Sequence, residues 1–552
     1  MATTTTQTLP ASLQRLIDTI QASRERMTPG VARKLVLEAD VQQQDLEPWA
    51  DYDHPLADSY GRKLVYEDEF FEVMVMSWEV GDVSAIHDHG YTQWGAVQVF
   101  GPAEHGMFLV EDDHLTTLAR DPLTPGRVMG VGNRLIHQMA NKSNERFLSL
   151  HVYGVSEGEG LDAPSVTADA RVWNLAEGVI QHTGGGVFFT LPEEQIDGIL
   201  EGPTCDYVSW LHDTVECLRR VRRARSEADS PRLAEQQTQL GKALFDASRW
   251  DVFAEELNEL LDDAGHTTDS KHWTLLRSTL KNAAQLQAEL LQNTPDPEDS
   301  FATYAELYDE VIGKQCLDSF TSKYLRFVRK EFDIDYAALR TLSVGCGTGI
   351  MEHHVLSEYG VPRENLLGID ISAAMVEVAA EKINAEQQDI LADPATWSGD
   401  HQPWDVALAS LNVLQYLPAG AMDRAVAHTA ALTKPGGWFV GDFITPDHVR
   451  WYPNVIASDT VLSLRQPELI EANHHTLQRS SILNVSRQRG QLRITDEGSY
   501  SRTLPSLMKV RSLFAQHYTA ALHVFDAVTL ERLPDDADTS PSTRYLIVAG
   551  KD

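Results

Sequence analysis

Gly81–Gly101, which reads GDVSAIHDHGYTQWGAVQVFG, sets two histidines, His87 and His89, at alternate positions of an extended segment. Successive side chains of a strand leave opposite faces, so residues two apart share a face, and two imidazoles placed this way can reach one metal ion. Working outward, the period of two persists. Between Arg62 and Tyr153, short runs such as Phe71–Met76 and Arg146–Tyr153 are separated by Gly, Pro, Asp and Asn turns. That pattern predicts a small β-barrel or double-sheet jelly roll.

The flanks have a different rhythm. Leu13, Leu16, Ile17 and Ile20 fall at helical spacing, as does the segment Val31–Ala39. Strands continue weakly to Leu191, with a turn at Thr183–Gly186 whose glycines precede no lysine and open no helix, so a phosphate-binding role is not assigned to it. From about residue 192 to 293 the apolar residues recur with helical period, through Trp210, Leu218, Leu244, Phe253, Trp273 and Leu280. The arginines Arg219, Arg220, Arg222, Arg223 and Arg225 read as a solvated helix face, or one paired with the chain's own carboxylates. Two prolines in Thr294–Asp299 mark a linker. Beyond it, apolar runs at Thr341–Val344, Leu366–Ile369, Val406–Ser410 and Trp438–Phe443 alternate with helical stretches, predicting a doubly wound parallel sheet, and Ala521–Ala527 with Arg544–Ala549 would add a hairpin at its edge.

The chain has 552 residues, enough for about three to four domains at roughly 150 residues each. With 46 basic and 81 acidic residues, its net charge of -35 would repel nucleic acid and anionic membranes over most of the surface. Small molecules are the expected partners. Cys205, Cys217, Cys316 and Cys346 are widely spaced and form no C-x-x-C pair, which suits a reducing compartment. The N-terminus lacks the basic-then-apolar pattern of a signal peptide, and no run approaches the ~18 apolar residues of a membrane span. A cytoplasmic protein is expected; its oligomeric state is not legible.

A third imidazole completes the candidate metal set. His137 stands in Arg134–Gln138, on a later strand. Gly81, His87, His89, Trp94 and Gly101 follow the spacing of the first cupin motif, with Trp94 at the position where that motif usually has Glu. Tyr60-Gly61-Arg62 and Ser149-Leu150-His151-Val152-Tyr153 supply a Tyr-x-Arg and a Ser-x-His-x-Tyr. With these features, residues 59–153 resemble the thiol dioxygenases of the cupin superfamily, most closely the cysteine dioxygenases. The resemblance implies Fe(II) held by His87, His89 and His137. Arg62 and Tyr60 would bind the substrate, Tyr153 would act on iron-bound oxygen, and His151 and Ser149 would orient it. A thiol amino acid and dioxygen would be the substrates and a sulfinate the product. Where mammalian-type relatives place a Cys that cross-links to the catalytic Tyr, Trp94 stands, so Gln93 and Trp94 are expected to line and reshape the substrate pocket.

Leu342–Gly349, LSVGCGTG, is a strand entering a G-x-G-x-G turn. Asp370 ends the next strand about 21 residues past Gly349, the distance at which a carboxylate meets ribose hydroxyls. Asp389 follows where a side chain could accept from adenine. Tyr304–Asp309, Ser410–Tyr416 and Leu432–Trp438 extend the pattern, and residues 300–552 resemble the class I S-adenosylmethionine-dependent methyltransferases. The resemblance implies S-adenosyl-L-methionine bound at Gly345, Gly347, Gly349, Asp370, Asp389 and Asn412. A dinucleotide dehydrogenase is the competing α/β reading, but it wants G-x-G-x-x-G. The methyl acceptor is not legible; His353, His354, Trp451, Tyr452, His474 and His475 lie in segments able to line a pocket and receive no role.

The expected architecture is therefore multi-domain: an all-β cupin barrel with flanking helices over residues 1–191, a helical linker region over 192–295, and a Rossmann-like α/β methyltransferase over 296–552. The expected function is bifunctional thiol oxidation and methyl transfer in one pathway. The alternative is a methyltransferase regulated by a non-oxidative metal- or ligand-binding cupin domain.

Overall fold

In the computed structural model the described residues are 8–23, 25–156, 165–227, 231–263, 270–292, 299, 301–397, 403–418, 420–451, 454–472, 475–537 and 543–552. The chain packs as two units: Met1–Leu260 with Asp269–Leu286, and Leu261–Thr268 with Gln287–Asp552. Most of the predicted linker Thr294–Asp299 lies outside the described residues. Among those described, no helix is long and apolar enough to cross a membrane.

The first unit is rich in strands: β1 (Gly61–Glu67), β2 (Phe71–Trp78), β3 (Ile86–His87), β4 (Trp94–Val99), β5 (Ala103–Glu111), β6 (His114–Leu123), β7 (Val128–Gly132), β8 (Ile136–Ala140), β9 (Phe147–Gly154), β10 (Ala170–Asn174), β11 (Val179–Thr183), β12 (Ile196–Glu201) and β13 (Thr204–Cys205). They form a five-stranded sheet, β1-β2-β9-β4-β7, and an eight-stranded sheet, β12-β11-β10-β3-β8-β5-β6-β13.

Strands β2 and β9 are buried along their whole length, so their two faces do different work. Phe71, Val73 and Val75, with Leu148, Leu150 and Val152, face the helices Ala11–Ala22 and Pro29–Ala39 and pack with Leu13, Leu16, Ile17, Leu35 and Val36. The second of these helices starts where Thr28 accepts from the Val31 N–H and Pro29 occupies the first turn. By the period of two, Ser149, His151 and Tyr153 point the other way, and this sidedness creates the site.

The stretch expected as a separate helical region forms Tyr207–Glu227, Pro231–Leu244, Trp250–Asp263 and Lys271–Leu291. As far as Leu260, and again over Asp269–Leu286, it belongs to the β-rich unit. Part of the arginine cluster explains this. Arg220 is 3% exposed, lies 2.9 Å from Asp82 and donates to the carbonyls of Leu56 and Asp58, while Arg223 also reaches Asp82 at 3.3 Å. Asp82 is itself fully buried, so its two arginines neutralise a charge that could not stand alone inside the protein.

The second unit contains β14 (Thr341–Val344), β15 (Leu366–Asp370), β16 (Asn384–Gln387), β17 (Trp404–Ala409), β18 (Thr433–Ile444), β19 (Val455–Ala457), β20 (Val461–Ala472), β21 (His475–Gln488), β22 (Gln491–Leu504), β23 (Ala521–Asp526) and β24 (Arg544–Gly550). The main sheet runs β16-β15-β14-β17-β18-β24-β23, parallel through β18 and antiparallel at β24 and β23. This is the predicted doubly wound sheet with its edge hairpin. A second, antiparallel sheet, β19-β20-β21-β22, was not predicted. Its strands bury Arg465, Gln478, Ser480, Asn484 and Ser486, so the usual apolar alternation of a half-buried strand is missing.

Candidate metal centre and methyl-donor site

His87 lies on β3 and pairs in register with His137 on β8, while His89 follows β3 by two residues. The three imidazoles are buried, with one ring nitrogen of each within 4.8 Å of the others. Their tautomers follow from their neighbours. His87 Nδ1 lies 2.8 Å from the Ala85 carbonyl, which can only accept, so Nδ1 carries the proton and Nε2 offers a lone pair. His137 Nδ1 lies 2.8 Å from His105 Nε2, leaving His137 Nε2 to face His87 Nε2 at 3.1 Å. Two nitrogens bonded at ~2.1 Å to one ion at about right angles stand roughly 3.0 Å apart.

His89 has no hydrogen-bond partner at either ring nitrogen although it is only 4% exposed. A buried polar group in that condition is costly, and a metal ion removes the cost. Burial lowers the pKa of all three, that of His87 to about 4, with His89 and His137 lowered further by neighbouring histidines. Neutral imidazoles are the form that binds metal. The residues therefore suit a metal held by three nitrogens.

Beside them runs a chain of hydrogen bonds. Trp78 Nε1 donates to Ser149 Oγ at 2.8 Å, Ser149 Oγ lies 2.7 Å from His151 Nε2, and His151 Nδ1 lies 2.8 Å from Tyr153 Oη. Because the indole can only donate, the Ser149 proton is free to go to His151 Nε2. His151 Nδ1 then donates to the phenol oxygen, and the Tyr153 proton is left for the pocket. Burial holds His151 neutral, its pKa pushed down to about 3, and pushes the Tyr153 phenol well above its usual value, so Tyr153 keeps its proton. The His89 and Tyr153 ring centres are 5.0 Å apart, which puts the phenol beside the triad.

Arg62, on β1, donates to Thr167 Oγ1 at 3.2 Å and stands 4.0 Å from Glu72 Oε1, while its Nε has no hydrogen-bond partner. Tyr60 stacks on Trp78, ring centres 4.9 Å apart, and packs against Phe188.

The expectation for Trp94 is corrected. Its indole packs with Phe71, Val73 and the N-terminal helices on the opposite face of the sheet, and its Nε1 donates to the Val155 carbonyl at 3.1 Å. The next residue faces the phenol instead. A Cβ on Gly95 would stand 2.7 Å from a Tyr153 ring carbon, so Gly95 is the position whose side chain would meet Tyr153. The neighbouring Gln93 accepts from the Ser156 N–H at 3.0 Å, which commits its amide oxygen to the loop after β9. His105, not singled out from the sequence, is the other addition. It lies on β5, paired with β8, and its only sequence signal is alternation with the polar positions of that strand.

In the second unit, Gly345, Gly347 and Gly349 all have positive φ (66°, 54° and 73°) at the end of β14. At Gly345 the requirement is also steric, since a Cβ there would come within 1.9 Å of Val413. Asp370 ends β15 and accepts from the Gly347 N–H at 2.8 Å and the Ser372 N–H at 2.9 Å, which fixes its carboxylate over the glycine turn. Asp389 accepts from the Leu391 N–H at 2.8 Å. Asn412, left-handed at φ 54°, keeps a buried Oδ1 with no hydrogen-bond partner. The glycines, Asp370 and Asn412 lie at the carboxyl ends of β14, β15 and β17, where open α/β sheets bind ligands.

A pocket adjoins Asn412, with about 600 Å³ of empty space, part of it open to solvent. Its lining includes Tyr308, Tyr416, His448, Arg465, Gln478, Tyr500, Arg502 and Arg544, six of them from β18 onward in the chain and four from the unpredicted sheet. Of the six residues considered from the sequence as lining candidates, the described His353, His354 and His475 are not among its lining residues; Tyr452 and His474 lie outside the described residues, as does the Trp451 side chain.

Residues 342–439 match the family model of a methyltransferase domain. A hybrid polyketide–nonribosomal peptide synthetase of Penicillium oxalicum is 30% identical over 123 residues, a stretch that is 21% of this chain and 3% of that protein's length. Among solved structures, an S-adenosylmethionine-dependent methyltransferase of Clostridium acetobutylicum aligns at 14% identity with a TM-score of 0.36, covering 46% of this chain and all of its own. The CcbJ methyltransferase of Streptomyces caelestis aligns at 18% identity and a TM-score of 0.36, covering 46% of this chain and 99% of its own. With the glycine turn, Asp370 and this family match together, residues 342–439 belong to an S-adenosylmethionine-dependent methyltransferase domain.

Proposed function

We propose that the chain is a bifunctional enzyme, in which the β-rich unit oxidises the thiol of cysteine or a related carboxylated thiol to a sulfinate and the C-terminal unit methylates a small sulfur-containing substrate of the same pathway. The observation that carries the first activity is the buried His87, His89 and His137 set with Tyr153 beside it, held by Ser149 and His151. In this reading the β-rich unit is a cupin barrel.

His87, His89 and His137 would hold a ferrous ion, which would supply positive charge to attract an anionic thiolate and dioxygen. The protein does the positioning. The Arg62 guanidinium holds the substrate carboxylate with its planar fork. Tyr153 holds a proton toward the reacting oxygen, and His151 keeps the phenol in place without taking that proton. The lack of a side chain at Gly95 lets the Tyr153 ring lie directly against that backbone.

In the second unit S-adenosylmethionine supplies an activated methyl group. The glycine turn admits its backbone-close approach, Asp370 accepts from the ribose hydroxyls and Asp389 from adenine. Positioning for in-line transfer then supplies much of the rate.

The test is to incubate the protein with Fe(II), dioxygen, S-adenosylmethionine and a panel of small thiols, and to follow products by mass. Expected are a two-oxygen gain dependent on His89 and a methyl gain dependent on S-adenosylmethionine, which in His89→Ala is retained when the matching sulfinate is supplied directly. Metal binding without oxygenation of any thiol would replace the dioxygenase reading with a metal-binding module attached to the methyltransferase.

A further inference from the structure

The pocket beside Asn412 has a charge pattern the fold does not require. Arg465, Arg502 and Arg544 all line it, in a protein whose net charge is -35. Arg544 forms a buried pair with Asp442. Arg502 donates to the Tyr416 hydroxyl, lies over the Tyr416 and Tyr500 rings at 4.5 and 5.0 Å, and has a buried Nε with no hydrogen-bond partner. Arg465 donates to the Tyr304 hydroxyl at 2.9 Å.

The surroundings respond to this excess of positive charge. Burial alone would raise the Tyr500 phenol, yet Arg502 and Arg465 outweigh it and hold it below its usual value. Burial, with Arg544 and Arg502, pushes His448 down to about 3, so it adds no cation. Gln478 contributes a buried Oε1 without a hydrogen-bond partner. A buried guanidinium facing phenols rather than carboxylates is costly unless an anion arrives to complete it.

We infer that this pocket is the acceptor site of the methyltransferase and that it takes a small acid whose oxyanion, carboxylate or sulfinate, docks on Arg502 and Arg465. The inference rests on the methyltransferase assignment and not on the metal centre. Arg502, anchored on the Tyr416 hydroxyl and lying over the edges of two tyrosine rings that touch each other, presents its guanidinium fork to the anion. Tyr500 and Gln478 lie beside it to read the rest of the molecule. The acceptor therefore enters on the side of the β19–β22 sheet, opposite in charge to the protein surface at large.

The full-length protein, saturated with S-adenosylhomocysteine, is titrated calorimetrically with L-cysteine, hypotaurine, L-cysteine sulfinate, cysteamine and L-cysteinamide. Expected is binding of one or more of the three acids, at least about 10-fold tighter than cysteamine or cysteinamide, as charge-assisted hydrogen bonds require. Hypotaurine against cysteine tells a sulfinate subsite from a carboxylate one. Arg502→Met should weaken the best acid by about 10-fold or more while leaving S-adenosylhomocysteine affinity within about twofold, and Arg502→Lys should fall between. Equal or tighter binding of the two amines, an unchanged acid affinity in Arg502→Met, or no acid binding up to about 10 mM would each overturn the inference. Failure of S-adenosylhomocysteine to bind the unaltered protein would instead overturn the methyltransferase reading.

Discussion

At the scale of single residues, the position of one proton decides what the histidine cluster can do. His105 is 6% exposed and touches His137 Nδ1, on the far side of that ring from the facing His87 and His137 Nε2 atoms. It therefore fixes both the tautomer and the tilt of a candidate ligand without contacting the metal position itself. Removing such an orienting partner typically costs 10–100-fold in metal affinity, so His105→Ala is expected to weaken Fe(II) binding by about that factor. His105→Gln, which keeps an acceptor, should restore part of it. Competition against a chelating dye measures both; equal affinities for all three proteins would show that His105 only fills space.

At the scale of elements, the helix Ile350–Tyr359 after the glycine turn carries a buried acid. Glu352 is 1% exposed, accepts from Ser343 Oγ on β14 at 2.5 Å, and has a second oxygen with no hydrogen-bond partner. Burial raises its pKa to about 7, which means that the folded state binds this proton more tightly than the unfolded chain does. The corresponding stability is fully present below the unfolded value of about 4.5 and is lost as pH rises through about 7. Glu352→Gln keeps the acceptor for Ser343 and removes the charge. It should leave stability little changed at pH 5 and raise it by roughly 1–3 kcal/mol at pH 8. Urea melts of the two proteins across that range check the sign; a variant less stable at pH 8 would contradict it.

At the scale of the molecule, each unit buries a core of its own. Leu13, Phe71, Trp94 and Leu150 belong to one cluster in the first unit, and Leu342, Phe439, Phe514 and Ile547 to another in the second. A ligand stabilises the unit that binds it, by about 2.7 kcal/mol at a concentration 100 times its dissociation constant. Scanning calorimetry of the whole chain is thus expected to show two transitions, one raised by Fe(II) under anaerobic conditions and the other by S-adenosylhomocysteine. A single transition moved by either ligand would show that the units melt together.

The sequence by itself determined the elements whose signals are local. Alternation placed the strands carrying His87, His137 and Ser149–Tyr153, because period two survives whatever the strand packs against. The glycines of Leu342–Gly349 and Asp370 were legible for a similar reason: a backbone forced to positive φ leaves few residue choices, and the spacing to the next strand end is short. Only the tertiary structure decided which face each residue serves. Trp94 and Gly95 are adjacent, and a slip of one residue exchanges core for site; the packing of the N-terminal helices on the Trp94 face settled it. His105 acquired a meaning only through the pairing of β5 with β8. The acceptor pocket was the least legible, since its arginines and tyrosines are spread from Tyr308 to Arg544 and six of its sixteen lining residues come from strands that bury polar residues, so that neither spacing nor hydrophobic period marks them as belonging together.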